Sequence, residues 1–451
     1  MNIELKQILD SGKADFEAIA NDIWDHPETR YKESYASSLQ ERFMEQHGFT
    51  VEKEIGGIAT AFKAVSGSGK PVIGFLGEFD ALPGLSQTAD QPSYAPLSEG
   101  APGHGCGHNL LGTGCMEAAC TIATYLKRHH LPGTVIYFGC PAEESGAGKA
   151  FMVREGCFDG VDFALAWHPS PHNALMSRSL ANVRIIFSFH GKSAHAAGAP
   201  QSGRSALDAC ELTNVGVQYL REHVISSARM HSAYLNAGGD APNVIPAEAS
   251  ILYALRAPKQ SQVKELIERV SDVARGAALM TGTRVDIKIV SAYADTVSVP
   301  AMNQLMLAEM HDVLPLDYTE EELAYARQFA DPELLKEGAP VIDSTVTEDD
   351  SHDGGGSTDV GDVSWIVPTG GVSITTMANG TPGHSWCLTA QGKSSIAHKG
   401  MHAAALVLAE AAEKLFTDSE LGAEIKADFV KVKGHEKYEK LLPDSAKPGD
   451  F

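Results

Sequence analysis

The sequence predicts an α/β protein, a buried sheet sandwiched by helices, with a smaller α+β domain inserted into it. Three observations carry this. Four short apolar runs are continuous rather than alternating, as expected of strands buried on both faces. A helical stretch lies between the first two runs, and strands alternating with helices build a parallel sheet. The middle of the chain instead has the order β-α-β-β-α-β, the split pattern of a ferredoxin-like unit.

Along the chain, the first 60 residues read as a helix and then a strand-like stretch around 50–54. The four apolar runs are Pro71-Val-Ile-Gly-Phe-Leu-Gly77, Thr134-Val-Ile-Tyr-Phe-Gly-Cys140, Val161-Asp-Phe-Ala-Leu-Ala-Trp167 and Gly371-Val-Ser-Ile-Thr-Thr-Met377. The helix between the first two covers about 109–127, with apolar residues at helical spacing. From 182 the pattern changes. Val183, Ile185 and Phe187 alternate with Arg184 and Ser188, as in a half-buried strand. A helix over about 203–222, strands over 228–237 and 247–257, a helix over 261–280 and a strand over 284–292 complete the unit. The economical division is a larger domain formed by 1–181 and 294–451, with 182–293 inserted. The Gly/Ser/Asp-rich segment 344–362 reads as a loop. A helix over about 395–415 and a polar tail close the chain.

The 451 residues carry a formal charge of −22. That balance argues against nucleic acid as a partner, which demands a basic footprint, and against an anionic membrane surface. No segment reaches the ~18 consecutive apolar residues of a membrane span. The first residues lack the basic and apolar regions of a signal peptide, so the expected location is the cytoplasm. Seven cysteines, an odd number, are then expected to be thiols rather than a disulfide framework.

The chemistry is read from the residues just after the strands, because α/β sheets bind ligands at the carboxyl ends of their strands. The first run ends in Glu78-Phe79-Asp80, the second in Cys140-Pro-Ala-Glu143-Glu144 and the third in Trp167-His168-Pro169. The fourth leads to His384, and the helix at 109 is preceded by Gly103-His-Gly-Cys106-Gly-His108. Singly, a cysteine is a small hydrophobe, a histidine a hydrogen-bonded structural residue and a Glu-Glu pair solvated surface. Five such coincidences at strand ends point instead to metal. Cys106, His108, Glu144, His168 and His384 form a mixed sulfur, nitrogen and oxygen donor set that suits Zn2+, while Mn2+ prefers the oxygen and nitrogen donors. Five ligands exceed a mononuclear catalytic site, so two divalent ions ~3.5–4 Å apart, sharing a bridging thiolate or carboxylate, are expected. Glu143 beside Glu144 invites a division of labour, one carboxylate binding metal and the other taking a proton from water.

Other motifs fail. Gly67-Ser-Gly-Lys70 and Gly146-Ala-Gly-Lys149 lack the residues of a phosphate loop. There is no His-Glu-x-x-His helix and no Gly-x-Ser-x-Gly elbow. His398 and His402 lie four apart on the last helix, with no carboxylate neighbour to suggest metal.

The motifs together resemble the M20 metallopeptidase family. They are Gly103-His-Gly-Cys-Gly-His-Asn-Leu-Leu-Gly112, Pro141-Ala-Glu-Glu144, Trp167-His-Pro169 and Gly191-Lys-Ser-Ala-His195. Ile23-Trp-Asp-His-Pro-Glu-Thr-Arg30, Phe151-Met-Val-Arg-Glu-Gly156, Gly203-Arg-Ser-Ala-Leu-Asp208, Ser357-Thr-Asp-Val-Gly-Asp-Val-Ser-Trp365 and Ser395-Ile-Ala-His-Lys-Gly-Met401 extend it over nearly the whole chain. The resemblance is to the amidohydrolase branch, most of all to its aminobenzoyl-glutamate hydrolases. It implies a zinc-peptidase-like catalytic domain and an inserted dimerisation or lid domain. It implies the same five metal ligands and Glu143 as base, with Asp80 supporting them from behind. His195 would be the lid histidine supplied to the substrate carbonyl, often from a neighbouring subunit, and Asn243 and Arg256 would contact substrate. The implied reaction is hydrolysis of an N-acyl amino acid, p-aminobenzoyl-glutamate above all. The alternatives are another N-acyl-amino-acid hydrolase or dipeptidase, and, from a different class, a non-catalytic metal-binding regulatory subunit. The implied assembly is a homodimer through the lid, or a heteromer with a homologous subunit. Two departures stand out. Many members carry His-x-Asp after the first strand where this chain has Glu78-Phe79-Asp80, and Asn109 stands where Asp often comes after the ligand histidine.

Overall fold

A computed structural model of the chain describes residues 1–176, 178–348 and 356–450. It separates into two compact units, one of 1–178, 297–354 and 363–437, the other of 179–296, 355–362 and 438–451. The sequence reading left 355–362 and 438–451 in the larger domain; in the structure, described residues of both segments group with the smaller unit.

The strands form in chain order as β1 (Thr50–Lys53), β2 (Phe62–Ser68), β3 (Val72–Glu78), β4 (Gly133–Cys140), β5 (Phe163–Ser170) and β6 (Asn173–Leu175). Then come β7 (Ala181–His190), β8 (Arg229–Asn236), β9 (Glu248–Ala257) and β10 (Arg284–Tyr293), and after them β11 (Val346–Thr347) and β12 (Thr369–Thr375).

In the larger unit, eight strands lie in the order β1-β2-β4-β3-β5-β12-β6-β11. The four apolar runs became β3, β4, β5 and β12, and these are the parallel centre of the sheet. β3 and β5 are buried along nearly their whole length, which is why their sequences do not alternate. Parallel register brings their carboxyl ends to one edge: Glu78 stands opposite Cys140, and Ser373 opposite His168.

The helix His108–His129 packs on this sheet. Gly112 permits a close approach, since a Cβ there would lie 2.5 Å from the carbonyl oxygen of Glu78. Trp167 Nε1 donates to the Leu111 carbonyl from β5, 2.9 Å away. These two contacts set the start of the helix, with Cys106 and His108, beside the ends of β3 and β5.

In the smaller unit, four antiparallel strands lie in the order β10-β7-β9-β8, the ferredoxin-like arrangement. The helices Ala206–Leu220 and Gln260–Thr281 cover one face. Val183, Ile185, Phe187, Ile251, Tyr253 and Leu255 are buried beneath them. Arg184 and Arg256 alternate onto the opposite face.

Several elements escaped the sequence reading. The polar tail contains a helix, Ser419–Lys433, capped by Asp418 and burying Ile425 and Phe429 one turn apart. Three helices, Pro300–Val313, Glu320–Ala326 and Pro332–Lys336, fill a stretch that was not assigned. The supposed loop 344–362 includes β11, paired with β6, and the start of the helix Val360–Ile366. Residues 349–355 of that segment lie outside the described residues. His402, whose sequence neighbours suggested no carboxylate, sits between two that are remote in sequence, Glu117 at 2.8 Å and Glu17 at 3.1 Å. Among the described residues, no helix is long and apolar enough to cross a membrane.

Candidate metal centre

All five expected donors belong to the larger unit and converge. Cys106, His108 and His168 offer ligand atoms within 4.8 Å of one another, and so do Cys106, Glu144 and His384. Cys106 is common to both groups. A third group of the same compactness contains Glu78, His108 and Glu143.

The local backbone explains the convergence. Gly107, at φ 74°, turns the chain into the helix and places Cys106 and His108 on the same side. After β4, Ala142, Ser145 and Ala147 all adopt left-handed φ, which sets Glu143 and Glu144 in a tight, non-helical turn. His384 is left-handed too, at φ 52°, and its N–H donates to the Gly105 carbonyl at 2.9 Å. Such conformations cost about 1–3 kcal/mol each and persist where surrounding structure enforces them.

Hydrogen bonds orient the imidazoles. Asp80, fully buried, accepts from His108 Nδ1 at 3.0 Å and from the Glu144 N–H at 2.8 Å. His168 Nδ1 donates to the Pro169 carbonyl at 2.7 Å. In both rings the Nε2 lone pair is therefore turned to the centre, as a metal ligand requires. His108 Nε2 and Glu144 Oε1 are buried and make no hydrogen bond. Each has a charged neighbour, Glu78 at 3.3 Å and His384 at 3.2 Å respectively, without hydrogen-bond geometry. Orphaned buried donors of this kind fit a cation that completes them.

The electrostatics agree. Burial would push the Cys106 thiol up, but His108 and His168 beside it bring it well below the ordinary value. Burial works against charge on His108 and His168 also, yet the Cys106 thiolate raises both. The adjoining Cys106 and Glu144 side chains push His384 up to about 10. Burial and the nearby thiolate push Glu144 up to about 7. Three imidazoles raised together mean that the pocket selects positive charge.

The two departures now have physical content. Asn109 faces away from the donors: its Nδ2 donates to the carbonyls of Ala20, at 3.3 Å, and Gly392, at 3.1 Å, which an aspartate could not do. Glu78 is at the centre, its Oε1 2.7 Å from the Nζ of Lys149, a lysine with no exposed surface. The sequence reading noted Glu78 only as a departure and met Lys149 only in a rejected phosphate loop. Their signal was a carboxylate at a buried strand end and a lysine inside an otherwise apolar helix start. His104, in the same glycine-rich motif, is a core residue: burial lowers it to about 4, and its Nε2 lies 3.1 Å from the Ile23 carbonyl.

His195, Asn243 and Arg256 lie in the smaller unit. His195 pairs with Val244 in an isolated bridge, and the Ala196 N–H donates to the Asn243 carbonyl at 2.9 Å. His195 Nδ1 accepts the N–H groups of Ala197 and Gly198, at 3.2 and 2.9 Å, so its proton is on Nε2. Arg256 is half-buried on β9, lowered by that burial and by Arg184, a second arginine that the sequence reading did not single out.

A parallel sheet that gathers thiol, imidazole and carboxylate donors at its strand ends, beside a further buried carboxylate, is the frame of a metallopeptidase-type hydrolase. Comparisons narrow the class. Residues 175–279 match the M20 peptidase dimerisation domain. The chain is 40% identical to a p-aminobenzoyl-glutamate hydrolase subunit of Escherichia coli (strain K12), over 98% of this chain and 97% of that protein. It is 31% identical to the Xaa-Arg dipeptidase of Mus musculus, over 78% and 74%. A dinuclear metal binding peptidase from the M20 family of Bacillus subtilis superimposes with a TM-score of 0.57 at 18% identity, over 88% of this chain and 99% of that one. The chain belongs to the M20 family, as an enzyme of the metallopeptidase type.

Proposed function

We propose that this enzyme hydrolyses the amide bond of an N-acyl amino acid, p-aminobenzoyl-glutamate first among them, releasing p-aminobenzoate and glutamate. The observation that carries the proposal is Cys106, shared by two three-donor groups with the Glu143 carboxylate alongside. Cys106, His108 and His168 would hold one divalent ion, Zn2+ or Mn2+, and Cys106, Glu144 and His384 a second. When bound, the pair supplies positive charge for the scissile carbonyl and lowers the pKa of water.

The chain's own residues do the rest. Asp80 fixes the His108 lone pair toward the centre. Glu143 takes a proton from the attacking water and returns one to the leaving amine. The His195 Nε2–H donates to the carbonyl oxygen as charge develops there, from the same chain or from a second copy. Arg256, in bidentate fashion, and Asn243 hold the free carboxylate of the amino-acid half, and Arg184 adds to the positive potential. The smaller unit serves as the dimerisation domain. The name of the Escherichia coli relative supports the substrate and leaves room for a homologous partner subunit. The dinuclear description of the Bacillus subtilis neighbour supports the ion count.

The test joins elemental analysis to a substrate panel of p-aminobenzoyl-glutamate, acetyl amino acids and dipeptides. About two metal equivalents, loss of metal in Cys106→Ser and cleavage of the first substrate are expected. Full metal with cleavage of dipeptides alone replaces the substrate. Full metal with no cleavage, with or without a homologous subunit, makes the chain a non-catalytic metal binder. Unchanged metal in both Cys106→Ser and His168→Ala removes the site.

A further inference from the structure

Glu78 has no role in the mechanism above, yet it is among the most confined groups in the molecule. It is the last residue of β3 and 4% exposed. Its Oε1 pairs with Lys149 at 2.7 Å, while its Oε2 lies 3.3 Å from His108 Nε2, the buried nitrogen that makes no hydrogen bond. A carboxylate held for charge pairing alone would turn both oxygens to its cation or to backbone donors. Here one oxygen is tethered to Lys149 and the other is aimed at the Nε2 edge of the His108 ring. Two acceptors facing one another across 3.3 Å are repelled unless a proton or a cation lies between them. Glu143 completes a compact trio with the same two residues.

We propose that Glu78 is a sixth donor of the metal centre, sharing an ion with His108, and that Lys149 is the built-in counter-cation that holds it there. The inference rests on the metal centre proposed above. It also gives a physical account of the lysine. Glu78, Asp80, Glu143, Glu144 and the Cys106 thiolate place more negative charge in one buried pocket than two divalent ions neutralise. A lysine without exposed surface, in contact with the surplus carboxylate, offsets the excess without competing for the donor atoms facing the ions.

The test is metal affinity, measured by competition with a chromogenic chelator on Zn2+ and on Mn2+, together with metal content after dialysis. Glu78→Gln keeps the shape and removes the charge. Its affinity for at least one ion should fall ten-fold or more. Because Glu78→Gln removes a charge that Lys149 pairs with at 2.7 Å, Glu78→Gln with Lys149→Met is measured as well, and that double variant should show the same ten-fold loss. If both variants bind both ions within two-fold of the parent, Glu78 is a structural ion-pair partner and the proposal is wrong. A loss in Glu78→Gln that the double variant restores also overturns it, because the lysine and not the missing donor then causes the loss. Should neither variant fold, Glu78→Asp decides, since it keeps the charge and withdraws the donor oxygens by one methylene: a ten-fold loss of affinity for at least one ion supports the proposal, and affinities within two-fold of the parent for both contradict it. Cys106→Ser run in parallel separates this failure from that of the centre itself, since only the latter leaves its metal content unchanged.

Discussion

Asp80 offers a sharp perturbation, because one side chain orients two parts of the centre at once. One oxygen accepts from His108 Nδ1 at 3.0 Å and the other from the Glu144 N–H at 2.8 Å, with no exposed side-chain surface. Burial opposes its charge, but the contact with His108 holds the carboxyl below its usual value, so it is ionised across neutral pH. Asp80→Asn preserves the shape and replaces one acceptor by an NH2. Whichever way the amide lies, one of the two donors loses its partner. If His108 loses it, the ring is free to take the other tautomer, with the proton on Nε2 where the ion should bind. A hydrogen bond to a charged group contributes about 1.5–3 kcal/mol. Altering a carboxylate that orients a metal-bound histidine typically weakens the metal 10–100-fold, about 1.4–2.7 kcal/mol. The two estimates agree, so the dissociation constant of at least one ion should rise by about 10–100-fold. Equilibrium competition with a chelator at fixed pH measures it. Affinities within two-fold of the parent for both ions would refute the orienting role, whatever happened to turnover.

Four other perturbations are equally specific. Glu143→Ala should keep its metal and lose at least about 10²-fold in kcat, the lower end for a general base; a near-parental rate would remove Glu143 from the mechanism. Arg256→Ala should cost about 10–100-fold in kcat/KM, the loss of one charge-assisted contact, and should spare an amide substrate lacking the carboxylate; equal losses on both substrates would contradict the clamp. If His195 serves a neighbouring active site, mixing inactive His195→Ala and Glu143→Ala chains should restore activity, and none after verified subunit exchange would place it in its own chain's reaction. His402→Ala strands Glu117, which has no exposed surface, and should lower stability by about 3–5 kcal/mol, whereas Glu117→Leu with His402→Leu should recover most of it. Burial opposes charge on His402, but Glu117 and Glu17 raise it above its ordinary value. The contribution of His402 is therefore full below about pH 6.5 and is lost as the pH climbs through the raised value. Thermal unfolding at a series of pH values would reverse this reading if the parent gained stability over that interval relative to the double leucine variant.

The parallel centre was legible because burial on both faces leaves a plain trace, an unbroken apolar run. The order of the smaller unit was legible because strand alternation and helix spacing differ in period. The missed helix Ser419–Lys433 shows the limit. Only Gly422, Ile425 and Phe429 of its fifteen residues are buried, so its composition reads as solvated chain. Its capping by Asp418 and the four-residue spacing of Ile425 and Phe429 are weak signals against that background. His402 failed for a different reason. Its partners, Glu117 and Glu17, are on other helices, and a pair separated by 285 residues of chain leaves no local pattern.

The centre divides along the same line. The convergence of the five candidate donors was legible because a parallel sheet must present its strand ends on one edge, so residues far apart in sequence could be added together by topology alone. Glu78 satisfied that rule as fully as His168 did. In the sequence it stands out only as a strand-end carboxylate and as a departure from a family pattern. Lys149 pairs with Glu78 at 2.7 Å: a carboxylate at a strand end in a buried, anionic pocket needs a cation within reach. The first turn after Glu143 and Glu144 supplies one. Asn109 is the converse case, a departure inside the most specific motif that proves to serve two carbonyl groups of the core. Distance from a motif was thus a poor guide to chemistry. What separated the two was the direction of the side chain: Glu78 Oε2 lies 3.3 Å from His108 Nε2, whereas Asn109 Nδ2 reaches the carbonyls of Ala20 and Gly392.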